Sequence, residues 1–267
     1  MYITPDRKRI VVKIGTSTLT HPSGALNLRR IEHYARVISD IKNSGYEVIL
    51  VSSGAVSAGI SRLSLDHRPR TPEEKQALAA VGQSELMNIY SRFFASYGHT
   101  VGQILMTRDV VDYTLRRAAT ENTFSQLLSL RCIPIVNEND SVSSEELREE
   151  DNYGANDTLS AYVAIIARAD LIINLSDIDG LYDSDPHENR EAHLIKRIDE
   201  INDDILKIAG GAGTERGTGG MLAKLRAARL ATAAGIPMCI VNGKDPDILY
   251  EIVDGGEPGT FFPVKKD

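Results

Sequence analysis

The sequence predicts an α/β fold in which a mainly parallel sheet carries helices on both faces. Three observations predict it. Short apolar runs recur along the chain, among them Val48–Val51, Cys132–Val136 and Ile236–Val241, and near-continuous runs of this kind belong to strands covered on both sides. Each run closes on a small or polar residue, and the stretches between runs carry apolar residues at helical spacing. Parallel neighbours need connections of that length, and right-handed crossovers place the helices on both faces.

The first strand is read in Ile10-Val11-Val12-Lys13-Ile14, just before Gly15-Thr16-Ser17. A charge inside a buried strand is costly unless something pairs with it. In open α/β sheets the carboxyl ends of strands deliver the ligand-binding groups, so Lys13 and Gly15 point to an anion. The alternative is an edge strand with a solvated lysine. Leu28, Ile31, Tyr34 or Ala35, Ile38 and Ile41 then mark a helix capped by Asn27 and stopped at Gly45. The second strand, Val48–Val51, ends in Ser52-Ser53-Gly54. The same grammar gives strands at Val101–Leu105, at Cys132–Val136 before Asn137, at Leu171–Leu175 before Ser176-Asp177, and at Ile236–Val241 before Asn242. Gly15, Ser53, Asn137, Ser176 and Asn242 are thereby expected along one edge of the sheet. Ser61–Gln76 and Asp140–Ala155 are too polar for core, and both are read as loops past a strand's carboxyl end, where lids and substrate loops belong. Ser143 with Glu146 could cap a short helix in the second. No low-complexity linker divides the chain, so residues 1–267 read as one domain. A softer division gives about 1–170 to one ligand and about 171–267 to another.

Composition narrows the function. The chain is 42% hydrophobic and 25% charged, ordinary for a globular protein. Its net charge of −7 repels polyanions, and the basic runs Arg7-Lys8-Arg9 and Lys265-Lys266 are short and terminal, so no nucleic-acid partner is expected. The residues from Met1 to Arg9 contain no apolar signal segment, and no apolar run is long enough to span a bilayer. No membrane association is expected, and a cytoplasmic location is expected. Cys132 and Cys239 stand singly inside apolar runs and read as core thiols.

A second phosphate signal lies near the far end. The glycine-rich stretch from Gly210 to Gly220 leads directly into Met221–Ala234, a run of strong helix formers. A glycine loop opening a helix offers free backbone N–H groups and a positive dipole end. Lys224 leans back towards that end. A flexible loop without a ligand is the alternative. The Gly-Lys-Ser/Thr of a Walker loop and the signatures of a protein kinase are absent. Asn137-Glu138-Asn139-Asp140 and Gly154-Ala155-Asn156-Asp157-Thr158 add acids and amides, with no histidine or cysteine nearby to complete a metal cage or a nucleophile triad. That set suits the positioning of anions and of an ammonium group, with Asp157 holding both lysines in register. The alternative for Asn156 or Asp157 is capping of the following helix.

Val12–Ser17, Ser52–Gly59, Ala79–Gln83, Asn137–Asp140, Asn156–Ala161, Asp179–Tyr182 and Gly217–Met221 with Lys224 together resemble the amino-acid kinase family. Within it they are similar to the branch that phosphorylates the side-chain carboxylate of free L-glutamate, the first step of proline biosynthesis. The resemblance implies a three-layer αβα sandwich with a mainly parallel central sheet. It implies Lys13, Lys224 and Asp157 as the catalytic set, and Ser53, Gly54, Asn137, Asp140 and Asn156 around glutamate. It places ATP at Lys13, Gly15, Ser176, Asp177, Thr218, Gly219, Gly220, Met221, Leu222, Ala223 and Lys224, with Mg²⁺ bridging the phosphates and few or no protein ligands expected to the metal. It further implies a homo-oligomer, dimer or tetramer, with proline as a feedback inhibitor. The rivals are a kinase of the same fold for another small acid or phosphate, and a silent member that only binds an amino acid. Two departures stand out. Ala155 occupies a position where this branch usually has aspartate, and the chain stops soon after Gly259–Phe262, where many members continue into a domain of a type found in RNA-modifying enzymes.

Overall fold

A computed structural model describes residues 2, 8–107, 109–142, 156–186, 189, 191–209 and 220–264. Seven strands form one sheet in the order β3-β4-β2-β1-β5-β6-β7. They are β1 (Arg9–Ile14), β2 (Glu47–Ser52), β3 (Val101–Met106), β4 (Ile133–Glu138), β5 (Leu171–Ser176), β6 (Met238–Asn242) and β7 (Thr260–Phe262). The first six are mutually parallel and β7 runs antiparallel to β6. β1 sits between β2 and β5, so it is a central strand, and the edge-strand reading of Lys13 is excluded.

The helices follow as α1 (Thr16–Leu19), α2 (Leu28–Asn43), α3 (Ala55–Arg62), α4 (Pro72–Ser96), α5 (Asp109–Asp112), α6 (Thr114–Ser129), α7 (Asn156–Ala167), α8 (Asp203–Ala209), α9 (Met221–Ala233) and α10 (Ile248–Val253). Because side chains alternate along a strand, each run feeds two cores. Ile10, Val12 and Ile14 pack with residues of α2, α4 and α10 on one face. Val11, Ile49, Val51 and Ile172 pack with α6, α7 and α9 on the other. This is the expected three-layer αβα arrangement.

Local chemistry explains the boundaries. Asn27 caps α2 by accepting the Arg30 N–H at 3.0 Å, and Gly45 beyond its end has a φ of +101°, a conformation that suits glycine. Thr71 caps α4 by accepting the Glu74 N–H at 3.2 Å, with Pro72 at the first helical position. Part of the Ser61–Gln76 segment is therefore helix rather than loop, and α3 separates it from the end of β2. The Thr-Pro-Glu-Glu start signal outweighs the polar composition. Cys239 is buried as expected, whereas Cys132 is only half-buried because β4 begins one residue later. β7 is too short to stand out in the sequence. The Ser143–Glu146 cap and the substitution at Ala155 lie outside the described residues.

Candidate active site

Lys13 emerges from β1 on the face shared with Val11, beneath α7 and α9. There its Nζ donates to Asp157 Oδ1 at 2.6 Å, while Lys224 Nζ from the first turn of α9 lies 3.5 Å from Asp157 Oδ2. One carboxylate thus spans two ammonium groups, and all three residues are buried. A third donor completes it. Asn174, opposite Lys13 in the β1–β5 register, gives Nδ2–H to Asp157 Oδ1 at 2.7 Å.

The electrostatics follow from that packing. Burial alone would raise the Asp157 pKa, but Lys13, Lys224 and the Asn174 amide hold it below its ordinary value. Burial, reinforced by repulsion from Lys224, pulls the Lys13 ammonium below its ordinary range against the attraction of Asp157. The Asp157 carboxylate is shared by two ammonium groups, and Asp177 adds a further attraction on Lys13. Gly15 lies against this cluster, where a Cβ would make ordinary contact with Lys13 Nζ at 3.5 Å.

On the opposite face a chain of amides runs towards the same sheet edge. Asn156 Nδ2 donates to Ser53 Oγ at 2.8 Å and to Asn137 Oδ1 at 3.1 Å, and Asn137 Nδ2 donates to Gln83 Oε1 of α4 at 2.8 Å. Asn156 and Asp157 are adjacent at the start of α7, so one helix terminus joins the amide chain to the lysine cluster. Neither side chain is spent on capping that helix, which corrects the capping alternative: each reaches across to another element instead. Gly54 caps α3 with a φ of +101°, a left-handed conformation that strains other residues. Asp140 is half-buried and lines a cavity of about 360 Å³ together with Gln83, Ser84, Glu138 and Asn139.

The nucleotide residues of the resemblance divide into two sets. Ser176 is buried at the end of β5, its Oγ 3.2 Å from Asp177 Oδ1, and its carbonyl accepts the Gly243 N–H. Gly220 is extended at the head of α9, followed by Met221, Leu222, Ala223 and Lys224. Thr218 and Gly219 lie outside the described residues, as does most of the glycine-rich stretch. Asn174 and Gln83 were not among the expected site residues. Asn174 carried the same signal as Lys13, a polar residue inside an apolar strand run, while Gln83 had none that composition or spacing could reveal.

Asp157 Oδ1 accepts from both Lys13 and Asn174, while Oδ2 has Lys224 Nζ at 3.5 Å. Among the described residues only His33, Asp245 and Asp247 bring three ligand groups together, and none of them belongs to this cluster.

Comparison with known proteins agrees with this geometry. Residues 8–242 match the Amino acid kinase family. The glutamate 5-kinase of Clostridium perfringens is 53% identical over 98% of this chain and 97% of its own length. That of Listeria innocua is 51% identical over 98% of this chain and 95% of its own. Among solved structures, UMP kinase from Ureaplasma parvum superposes with a TM-score of 0.65 at 14% identity, covering 96% of this chain and 99% of that one. Isopentenyl phosphate kinase from T. acidophilum gives 0.63 at 16% identity, covering 96% and 100%. At such identities these two speak for the fold alone. Family match, close relatives and shared architecture lead to one conclusion: the chain belongs to the amino acid kinase family.

Proposed function

We propose that this protein transfers the γ-phosphoryl group of ATP to the side-chain carboxylate of L-glutamate, forming L-glutamyl 5-phosphate for proline biosynthesis. The observation that carries the reading is the pair of buried lysines bridged by Asp157, one helix residue from the Ser53–Asn156–Asn137 amide chain. Relatives at about half identity named glutamate 5-kinase support the choice of acceptor.

The chemistry needs what these residues offer. A glutamate carboxylate, with a pKa of about 4.3, is already ionised near neutral pH and requires no general base. A carboxylate oxygen forms the new bond to phosphorus as the bond to the ADP oxygen breaks, so the catalytic demand is positioning and charge stabilisation. Lys13 and Lys224 neutralise charge on the transferred group and on the leaving β-phosphate, and Asp157 holds both in register. Mg²⁺, when bound with the nucleotide, would add neutralisation of phosphate charge and would take most of its remaining ligands from water. Ser176, Asp177 and the residues from Thr218 to Lys224 hold the nucleotide. Residues up to about 170 serve the acceptor and those from about 171 serve ATP, within one domain. We infer a cytoplasmic homo-oligomer, dimer or tetramer, with proline as a feedback inhibitor. Among the described residues no helix is long and apolar enough to cross a membrane.

Acceptor choice rests on Asp140. Its carboxylate pairs with a free α-ammonium, whereas an N-acetylated acid lacks that charge and forgoes the pairing, a difference of about 1 to 3 kcal/mol. L-Glutamate should therefore exceed N-acetyl-L-glutamate at least about tenfold in kcat/KM. Aspartate should be poor because one methylene fewer withdraws the attacking oxygen. Asp140→Asn should chiefly raise the KM for glutamate and erode discrimination against the acetylated acid. A wild-type preference for the acetylated acid, or an Asp140→Asn enzyme with unchanged glutamate kinetics, would transfer the assignment to another acceptor of the same fold family.

A further inference from the structure

The amide chain beneath α4 has a direction, and a backbone group sets it. Asn137 Oδ1 accepts the backbone N–H of Glu138 at 2.9 Å. A backbone N–H can only donate, so Asn137 must turn its carbonyl oxygen towards Glu138 and Asn156 and its amide hydrogens towards Gln83. Gln83 must then answer with oxygen, which it does at 2.8 Å. In the other direction, Asn156 has to offer its NH₂ to both Asn137 and Ser53. Two groups are left over at the far end. The Asn156 carbonyl oxygen is buried without a hydrogen-bond partner among the described residues, and Ser53, whose Oγ is already accepting, keeps its hydroxyl hydrogen to give. A free amino acid brings the complement of both, an ammonium to donate and a carboxylate to accept.

Gln83 is the terminus from which this polarity is read. It is buried on α4, directly after Gly82, where α3 and α4 pack closely, and it lines the cavity that Asp140 also lines. We propose that Gln83 is a positioning residue for the acceptor amino acid: its side-chain oxygen locks the Asn137 amide, and Asn137 in turn locks Asn156 with its oxygen available to the acceptor. Without that oxygen the Asn137 amide hydrogens have no fixed acceptor, Asn156 loses its reason to face inward with nitrogen, and the site can present NH₂ where an ammonium must bind. The inference rests on the proposed reading of this region as an amino-acid site.

The test is the steady-state kinetics of Gln83→Met, which keeps the side-chain length and removes the acceptor oxygen. The KM for L-glutamate should rise at least tenfold while the KM for ATP stays within twofold, and the preference for L-glutamate over N-acetyl-L-glutamate should fall at least threefold. A merely structural role would move both KM values and kcat together and leave the preference for the free acid intact, and that outcome overturns the proposal. So does a glutamate KM within twofold of wild type. Should Gln83→Met fail to fold, Gln83→Ala removes the same oxygen without bulk and carries the same expectations. Wild-type turnover of glutamate tests the acceptor assignment separately. If another amino acid proves to be the acceptor, the same KM comparison made with that acceptor still decides the role of Gln83.

Discussion

At the scale of single residues, the Asp157 carboxylate holds two ammonium groups out of water. If both lysines stabilise charge in the transition state, Lys13→Ala or Lys224→Ala should lower kcat by about 10²-fold or more, the loss seen when one preorganised donor is removed. Arginine should rescue neither, because its planar fork does not replace a point charge in a close site. A folded Lys224→Ala enzyme with wild-type kcat would remove that lysine from the mechanism. Asp157 also makes stability depend on pH. Its folded pKa lies below the ordinary 3.8, so the unfolded chain binds more protons in that range and the contribution is present above pH 3.8 and lost as the pH falls through the lowered value. Thermal melting followed from pH 5 to about pH 2 should therefore show a steeper loss of Tm for wild type than for Asp157→Asn; equal slopes would mean that the carboxylate is not held ionised by its partners. Lys13 was legible because a charge in an apolar strand demands a partner, and Asp157 because no histidine was present to take its place. Asn174 carried that same signal, but an amide is far cheaper to bury than an ammonium and did not stand out. The reach of Gln83 to Asn137 depends on how α4 lies across β4, which no spacing in the sequence encodes.

At the scale of elements, the helix pair α3 and α4 borders the proposed acceptor side. A Cβ on Gly82 would lie 1.7 Å from the Ala55 carbonyl oxygen and 2.3 Å from the Gly59 nitrogen, and one on Gly59 would lie 2.1 Å from the Leu78 carbonyl oxygen. The backbones touch, so a methyl group has to separate the helices, as in overpacked cores that lose about 1 to 3 kcal/mol. Gly82→Ala should lower Tm by about 2 °C or more and raise the KM for glutamate, since Gln83 follows it, with less change for ATP. An unaltered Tm and glutamate KM would mean that α4 moves without consequence for the site. The strands and most helix boundaries were readable because apolar runs, caps and glycine stops agreed with one another. The start of α4 was missed because its polar first turns resembled a loop, although Thr71 and Pro72 were the proper signals. β7 was missed because three residues at the edge of a sheet carry no periodicity.

At the scale of the molecule, parallel strands place the end of β1, the β2–α3 turn, the end of β4 and the end of β5 along one edge, so residues more than 200 positions apart meet at Asp157. Helix α7 spans the divide between the two faces, with Asn156 in the amide chain and Asp157 between the lysines. On the proposed reading this helix start would align acceptor and phosphoryl donor, and no step calls for a proton acceptor. The measurement that tests this most directly is trapping with hydroxylamine, because an acyl phosphate is captured as the hydroxamate. With ATP, Mg²⁺ and a panel of amino acids and their analogues, the expected result is nucleotide-dependent hydroxamate from L-glutamate, little from aspartate or N-acetyl-L-glutamate, and about a hundredth of the wild-type rate or less once Lys224 is replaced by alanine. ATP consumption without hydroxamate, or hydroxamate formed preferentially from another acid, would contradict it.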